Sequence, residues 1–335
     1  MTTRIPFAQL EALLRAIFLR HGCSEHVADL LAANMAGAEA DGAHSHGVFR
    51  IKGNLGSLDS GWLDGKAVPV IEDVGSAFMR ADGKNGFSLP VLDLAAAPLM
   101  EKARANGIAI LAVRKAHHFS AVWPDIEPFA REGFLALAMV NSMASVVPHG
   151  GHRKLYGTNP LGFAVPRAGS DPLVFDQASS AMANGDVQIA RREGRQLPPG
   201  TGIDKDGNPT TDPNAVLEGG ALLPFGGHKG SSIAMMMEIM GAALAGSDYS
   251  FEIDWSQHPG AATPHGGQTY ILIDPQRGAV NSFADRIEVL IESIHEAGQT
   301  RLPSDRRYAN RREAMANGIP IDEAALEEIR RLAGG

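Results

Sequence analysis

The run Asp41-Gly-Ala-His-Ser-His-Gly-Val-Phe-Arg50 sets an imidazole and a guanidinium four positions apart. In a helix, His46 and Arg50 share one face. There the guanidinium fork can hold a substrate carboxylate while an imidazole titrating near neutrality moves a proton at the neighbouring atom. Those are the groups that chemistry beside a carboxylate needs. The same run also reads as a capped helix start, with Ser45 or Asp41 accepting from free amides and Arg50 in solvent.

A chain of 335 residues can bury a large core and divides into two or three lobes. Its net charge of −8 and the lack of a long basic run with interleaved aromatics argue against a nucleic-acid partner. An anionic substrate must therefore be caught by a local cationic pocket. The single cysteine, Cys23, excludes an internal disulfide framework and a cysteine-based metal cluster, and suits a reducing cytoplasm. Its expected role is packing. No signal-peptide pattern opens the chain. The most apolar run, Ile233 to Ala245, is too short to span a bilayer and carries Glu238, so we read it as a buried or interface helix.

Several elements must position the motif. Leu10, Leu13, Leu14, Ile17 and Phe18 recur at helical spacing, and a second helix follows Ser24 as its cap, within Phe7 to Ala40. Strand-like β-branched runs occupy Pro69 to Met79, Leu89 to Arg104 reads as a helix, and Ile108 to Val113 as a strand. From His117 to about Ile273, short apolar segments at Leu135–Val140, Phe163–Val165, Leu173–Phe175 and Tyr270–Ile273 alternate with turns, apart from one strong helix after Gly230. That spacing predicts a largely antiparallel sheet. The polar stretch from Leu197 to Gly220 is a long loop with a turn at Asp204-Lys-Asp-Gly207, and Phe283–Ala297 and Glu323–Leu332 are amphipathic helices.

Standard motifs are mostly missing. No Gly-x-Gly-x-x-Gly follows a strand, which excludes the ordinary Rossmann fingerprint, and no Gly-x-Ser-x-Gly elbow is present. The segment Gly226-Gly-His-Lys-Gly-Ser-Ser232 breaks the phosphate-loop order. It still offers free amides and a positive helix end beside His228 and Lys229, which suits a phosphate as well as a bland turn. Asp204, Asp206 and Asn208 do not form a calcium loop, because the glycine is misplaced and Ala215 stands at the twelfth position. The pairs His44/His46, His117/His118 and His149/His152 lack the spacing of a zinc site, so no metal is expected.

Taken in order, His44-Ser-His-Gly-Val-Phe-Arg50, His117-His-Phe-Ser120, Gly157-Thr-Asn-Pro-Leu-Gly-Phe163, Asp206-Gly-Asn-Pro-Thr-Thr-Asp-Pro213 and Leu223-Pro-Phe-Gly-Gly-His-Lys-Gly230 resemble the malate/L-lactate dehydrogenase-like family of nicotinamide-dependent oxidoreductases. The blocks run over nearly the whole length. Ser120-Ala-Val-Trp-Pro-Asp125, Val140-Asn-Ser-Met143, Asp186-Val-Gln-Ile-Ala190 and Asp254-Trp-Ser-Gln-His-Pro-Gly260 are similar to the branch acting on Δ1-piperideine-2-carboxylate and Δ1-pyrroline-2-carboxylate, the malate-type branch usually having glycine where Ser120 stands.

The resemblance implies an α/β (α+β), non-Rossmann fold in which a mostly antiparallel sheet forms an NADPH-binding domain over residues 116–275. A substrate-binding and helical dimerisation lobe would combine 1–115 with 276–335. It implies a cytoplasmic homodimer that reduces a cyclic imino acid with NADPH and has no nucleic-acid or membrane partner. By the same resemblance His46 is the acid/base, Ser45 and Asp186 are its relay partners, and Arg50 grips the carboxylate, with Ser142 and Thr158 in the substrate pocket. Around the cofactor it places His118, Phe119, Ser120, Ala121, Val122, Asp176, Gln177, Ala178, Asn184, Gly185, His228, Lys229, Arg301 and Arg306. A carboxylate at Asp186 would orient the imidazole and raise its pKa. The rival readings are an NAD(P)-dependent 2-hydroxy-acid dehydrogenase of the malate, lactate or ureidoglycolate type, in which His46 deprotonates a hydroxyl, and a metal-dependent hydrolase using the paired histidines.

Overall fold

The computed structural model describes residues 2–334. It begins with β1 (Thr2–Ile5), α1 (Phe7–Arg20) and α2 (Glu25–Ala40), the latter capped by the Ser24 hydroxyl accepting from the Val27 amide. Two 3₁₀ turns, His44–His46 and Val48–Arg50, lead into α3 (Ile51–Asp59). Next come β2 (Val70–Gly75), β3 (Phe78–Phe87), α4 (Leu89–Asn106), β4 (Ile108–His117), α5 (Trp123–Arg131), β5 (Leu135–Val140), β6 (Leu161–Val165), β7 (Leu173–Gln177) and α6 (Asn184–Arg192). The stretch read as a long loop holds β8 (Gly202–Ile203), β9 (Pro209–Thr210) and α7 (Pro213–Leu217), which with β10 (Ala221–Leu222) form a small three-stranded sheet and its helix. The chain closes with α8 (His228–Glu238), a π-helical turn (Ile239–Ala243), β11 (His265–Ile273), α9 (Phe283–Glu296), α10 (Asp305–Asn317), β12 (Ile319–Asp322) and α11 (Glu323–Ala333).

The main sheet has seven strands in the order β2-β3-β4-β11-β5-β6-β7, every pair antiparallel except β3 with β4. This sheet crosses the expected boundary at 115/116, because β2, β3 and β4 pair with β11 and so bring residues 70–117 into the same layer as 135–177. Its register carries the functional consequence. His117 pairs with His265 and with Phe87, Val140 with Gln268, and Leu161 with both Met139 and Gln177. The chain therefore leaves β4, β5 and β7 and enters β6 and β11 at one end of the sheet, which gathers residues 118–122, 141–142, 157–160 and 178–180 there.

One core packs α4 and α5 on the sheet through Leu99, Leu111, Ile126, Tyr270 and Leu272. Burying a leucine of that kind contributes about 1.5–3 kcal/mol. A second core joins α1, α2 and α11 to the two-stranded antiparallel sheet of β1 and β12 through Leu14, Phe18, Leu31, Ile321 and Ile329. Cys23 packs here, with burial pushing its thiol up to about 12. The polar helix α10 docks by charge. Arg311 donates to both oxygens of buried Asp41 at 2.7 Å and to Glu127 at 2.7 and 3.1 Å, which holds α2, α5 and α10 together. Among the described residues no helix is long and apolar enough to cross a membrane.

Candidate active site

The Ser45–Arg50 run does not form the continuous helix its spacing suggests. Glu39, only 2 % exposed at the end of α2, sends its carboxylate over the turn, where it meets His44 Nδ1 at 2.6 Å and accepts from the Val48 amide at 2.8 Å. A Cβ at Gly47 would lie 2.2 Å from Glu39 Oε1, so only glycine lets the chain pass. The backbone folds into two 3₁₀ turns around that carboxylate, and the His44 pKa rises through its bond to Glu39.

The turns bring the two expected groups together by another route. Arg50 Nε donates to the Ser45 carbonyl at 2.7 Å, and its guanidinium stacks 4.3 Å from the Phe119 ring centroid. Burial pulls its pKa down to about 10, opposed by the charge of Asp186, so the fork stays cationic at neutral pH. Neither Nη atom has a hydrogen-bond partner among the described residues. His46 Nδ1 lies 3.1 Å from Ser45 Oγ, and the Trp123 ring stands edge-on at 6.0 Å. Burial, then the neighbouring Arg50 and His118, push this imidazole down to about 3. Its Nε2 has no partner among the described residues.

Asp186 departs from the expected relay. It stands exposed in the first turn of α6, and its charge acts on Arg50, whereas a carboxylate beside His46 would have moved the imidazole upward. Gly185 does close on the site, since a Cβ there would lie 3.2 Å from Arg50 Nη2 and 3.4 Å from Ser45 Cβ. Asn184 opens the same helix.

At the sheet end, the 118–122 segment is wired largely into the protein. His118 Nε2 lies 2.7 Å from Asp125 Oδ2, which also accepts from the Tyr270 hydroxyl at 2.9 Å. Ser120 donates to Asn34 Oδ1 at 2.6 Å, while Ala121 and Val122 belong to the core. The Asp176 carboxylate accepts from the Val122 and Trp123 amides at 2.5 and 3.0 Å, satisfying the start of α5, and burial raises its pKa. That carboxylate is committed to the fold. Gln177 is exposed and Ala178 half-buried beside it. His117 is engaged on both nitrogens, by Thr263 and Asn85, which leaves it no free ring nitrogen.

The hydroxyls of Ser142 and Thr158 have no partner among the described residues, although their turns touch: a Cβ at Gly157 would lie 2.9 Å from Ser142 Cβ. The Thr158 carbonyl accepts from the Ser179 amide at 2.8 Å, which anchors it to the loop leading into α6. His228 and Lys229 begin α8, exposed, with the His228 ring 6.0 Å from that of His149. Arg301 and Arg306 lie exposed on the approach to α10 and its first turn. No contact joins these four to His46 among the described residues.

The profile of the malate/L-lactate dehydrogenase family matches residues 5–330. The chain belongs to this family. A Δ1-pyrroline-2-carboxylate/Δ1-piperideine-2-carboxylate reductase of Pseudomonas syringae pv. tomato is 59% identical over 333 residues, covering 99% of this chain and 97% of the relative. A reductase of the same description from Pseudomonas putida is 55% identical over 331 residues, covering 99% and 97%. A crystal structure of Δ1-piperideine-2-carboxylate reductase from P. syringae superimposes with a TM-score of 0.97 at 58% identity, covering 98% of this chain and 99% of the other.

In this member of the malate/L-lactate dehydrogenase family, the residues that sequence reasoning passed over are the ones that act through others. Glu39 shapes the motif turn, and Asp125 with Tyr270 holds His118. Arg307, next to the expected Arg306, packs 4.6 Å over the Trp123 ring and donates to the Val174 carbonyl at 3.1 Å, yet its buried Nε has no partner. The expected Arg301 and Arg306 signalled a cation in this segment. Which arginine turns inward depends on the register of α10.

Proposed function

We propose that the protein reduces the cyclic imino acids Δ1-pyrroline-2-carboxylate and Δ1-piperideine-2-carboxylate to L-proline and L-pipecolate, with NADPH as reductant. The observation that carries this reading is the pair of unspent groups in one turn: the Nη face of Arg50, backed by Phe119, beside His46 with a free ring nitrogen. Membership of a dehydrogenase family and the names of the relatives at 59% and 55% identity support the same reaction.

The substrate has a carboxylate next to a C=N bond. Arg50 holds the carboxylate at two points, which fixes C2 and the ring nitrogen relative to His46. When bound, a reduced nicotinamide supplies a hydride to C2. As the new C–H bond forms, the π pair of C=N moves onto nitrogen, and His46 delivers the proton that nitrogen takes up. The anionic substrate helps to load that proton: a carboxylate on Arg50 offsets the positive charge that helps hold the imidazole down. Ser45 orients the ring through Nδ1. Asp186 tempers the charge of Arg50 from α6.

The residues also fit a phosphate-bearing dinucleotide. Arg307 with its unpartnered Nε, the exposed Arg306, and Lys229 beside His228 at the start of α8 offer spare donors. In this reading Arg306 and Arg307 take the 2′-phosphate. The reading also makes the protein a homodimer, supported by Met235, Met236 and Ile239, an apolar strip left exposed on α8 and its π-helical continuation; light scattering after gel filtration measures the mass.

The test is cofactor oxidation followed by absorbance with each imine, using NADPH and NADH, beside pyruvate and 2-oxoglutarate without amine. Turnover on the imines with preference for NADPH is the expected result. Turnover on the 2-oxo acids alone would place the protein with the 2-hydroxy-acid dehydrogenases.

A further inference from the structure

Glu238 is a buried carboxylate, 4% exposed, and no cation pairs with it among the described residues. Its oxygens are met by three donors. Oε1 accepts from Asn159 Nδ2 at 2.7 Å and from the Gly157 amide at 3.3 Å, and Oε2 accepts from the Ser250 amide at 3.0 Å. Asn159, fully buried at φ +37°, passes the link onward: its Oδ1 accepts from the Ser142 amide at 3.1 Å. One carboxylate thus grips Gly157 and Asn159 on either side of Thr158, and through Asn159 it reaches Ser142.

The helix behind it is shaped for that reach. Directly after Glu238 the backbone widens into the π-helical turn Ile239–Ala243, a feature that often marks functional positions. The Thr269 hydroxyl of β11 takes the Met240 carbonyl at 2.6 Å. Gly241 lies so close to the base of the Ser142 turn that a Cβ there would be 2.9 Å from the Asn141 amide. Burying a carboxyl group is costly, and an apolar side chain would fill the space more cheaply.

We infer that Glu238 is a positioning residue of the substrate pocket: from α8 it fixes the Asn141–Ser142 and Gly157–Asn159 turns relative to each other and so sets how the pocket holds the imino acid, without touching it. This rests on the reading that Ser142 and Thr158 line that pocket.

The test compares wild type with Glu238→Gln, Asn159→Gly and the double variant Glu238→Gln/Asn159→Asp, by steady-state reduction of Δ1-piperideine-2-carboxylate and by thermal unfolding. Glu238→Gln turns one acceptor into a donor, and Asn159→Gly keeps the positive φ while deleting the bridge. Both are expected to raise KM for the imine at least tenfold, with KM for NADPH within twofold. The double variant restores the 238–159 bond with reversed polarity and is expected to recover most of the loss, a coupling that a general loss of stability would not produce. If Glu238→Gln does not fold, Asn159→Gly carries the same KM test. An active wild type with unchanged imine KM in the variants, or a double variant no better than Glu238→Gln alone, overturns the role of Glu238. A wild type inactive on both imines overturns the reaction and this inference with it.

Discussion

His46 and His117 are both driven down to about 3, each chiefly by burial, yet they are wired in opposite ways. His117 is 1% exposed and spends both nitrogens: Nδ1 lies 2.9 Å from Thr263 Oγ1 and Nε2 lies 3.0 Å from Asn85 Oδ1, with Trp62 edge-on at 6.0 Å. His46 has one hydrogen-bond partner among the described residues, the Ser45 hydroxyl of its own turn, and keeps Nε2 unspent beside the free Nη face of Arg50. A depressed imidazole therefore does not by itself mark an active site. What separates the two is a nitrogen left free where a substrate can meet it. His117 closes the end of β4 onto Thr263 and β11, whereas His46 keeps the free nitrogen that the proposed proton transfer uses.

This contrast can be broken by substitution. His46→Ala should lower kcat for imine reduction by about 10²–10⁴-fold while leaving cofactor affinity, measured by fluorescence titration, close to wild type. Substantial residual turnover would remove His46 from proton transfer. Arg50→Met should act on binding, raising KM for the imine by about 30- to 900-fold, from the loss of about 2–4 kcal/mol in charge-assisted hydrogen bonds. An unchanged KM would show that the carboxylate is held elsewhere. His117→Ala should behave in the opposite manner, with kcat within about twofold but stability to urea lower by about 1–3 kcal/mol, because Asn85 and Thr263 lose their partner.

The smallest effect sharpens the contrast through pH. An unfolded imidazole takes a proton below about 6.5, while these two in the folded chain do so only near 3. Between those values the unfolded state binds more protons, so both histidines make stability fall as pH drops from about 6.5 toward 3. His117→Ala should flatten part of that slope in urea titrations run at successive pH values. A slope identical to wild type would mean that His117 is not the neutral, buried group described above.

Much of the fold was legible because it is written locally. The Ser24 cap, the apolar β4 run and the Asp204 turn, whose carboxylate accepts from the Asp206 and Asn208 amides at 2.9 Å, each form where the pattern puts them. Helix α10 was missed because its inward face carries Tyr308 and Arg311, so no apolar period announces it. The apolar run Ile233 to Ala245 reads as a buried or interface helix, and its exposed Met235, Met236 and Ile239 leave the interface half of that reading to the proposed dimer. At the site, the residue types of Ser45, His46 and Arg50 were readable, but their geometry was not. It depends on Glu39 reaching back from α2 to fold the run into two short turns, and nothing in the motif's own spacing encodes that. Asp186 and Asp176 show the same limit. What a carboxylate acts on is chosen by tertiary neighbours, here the charge of Arg50 for one and the first amides of α5 for the other.

The place of β11 at the centre of the sheet has a consequence for how the molecule is made. β4 and β5 leave the ribosome long before residues 265–273, and each is hydrogen-bonded to β11 along its length, so during synthesis both present unpaired apolar edges with no native neighbour. The pocket end of the sheet, where His117 meets His265, cannot assemble until that late strand slides into the slot. Closing so distant a pairing is slow, and the waiting nascent chain is exposed to aggregation throughout. Chains cut short before residue 265 are thus expected to engage chaperones or proteases rather than persist as partly active fragments.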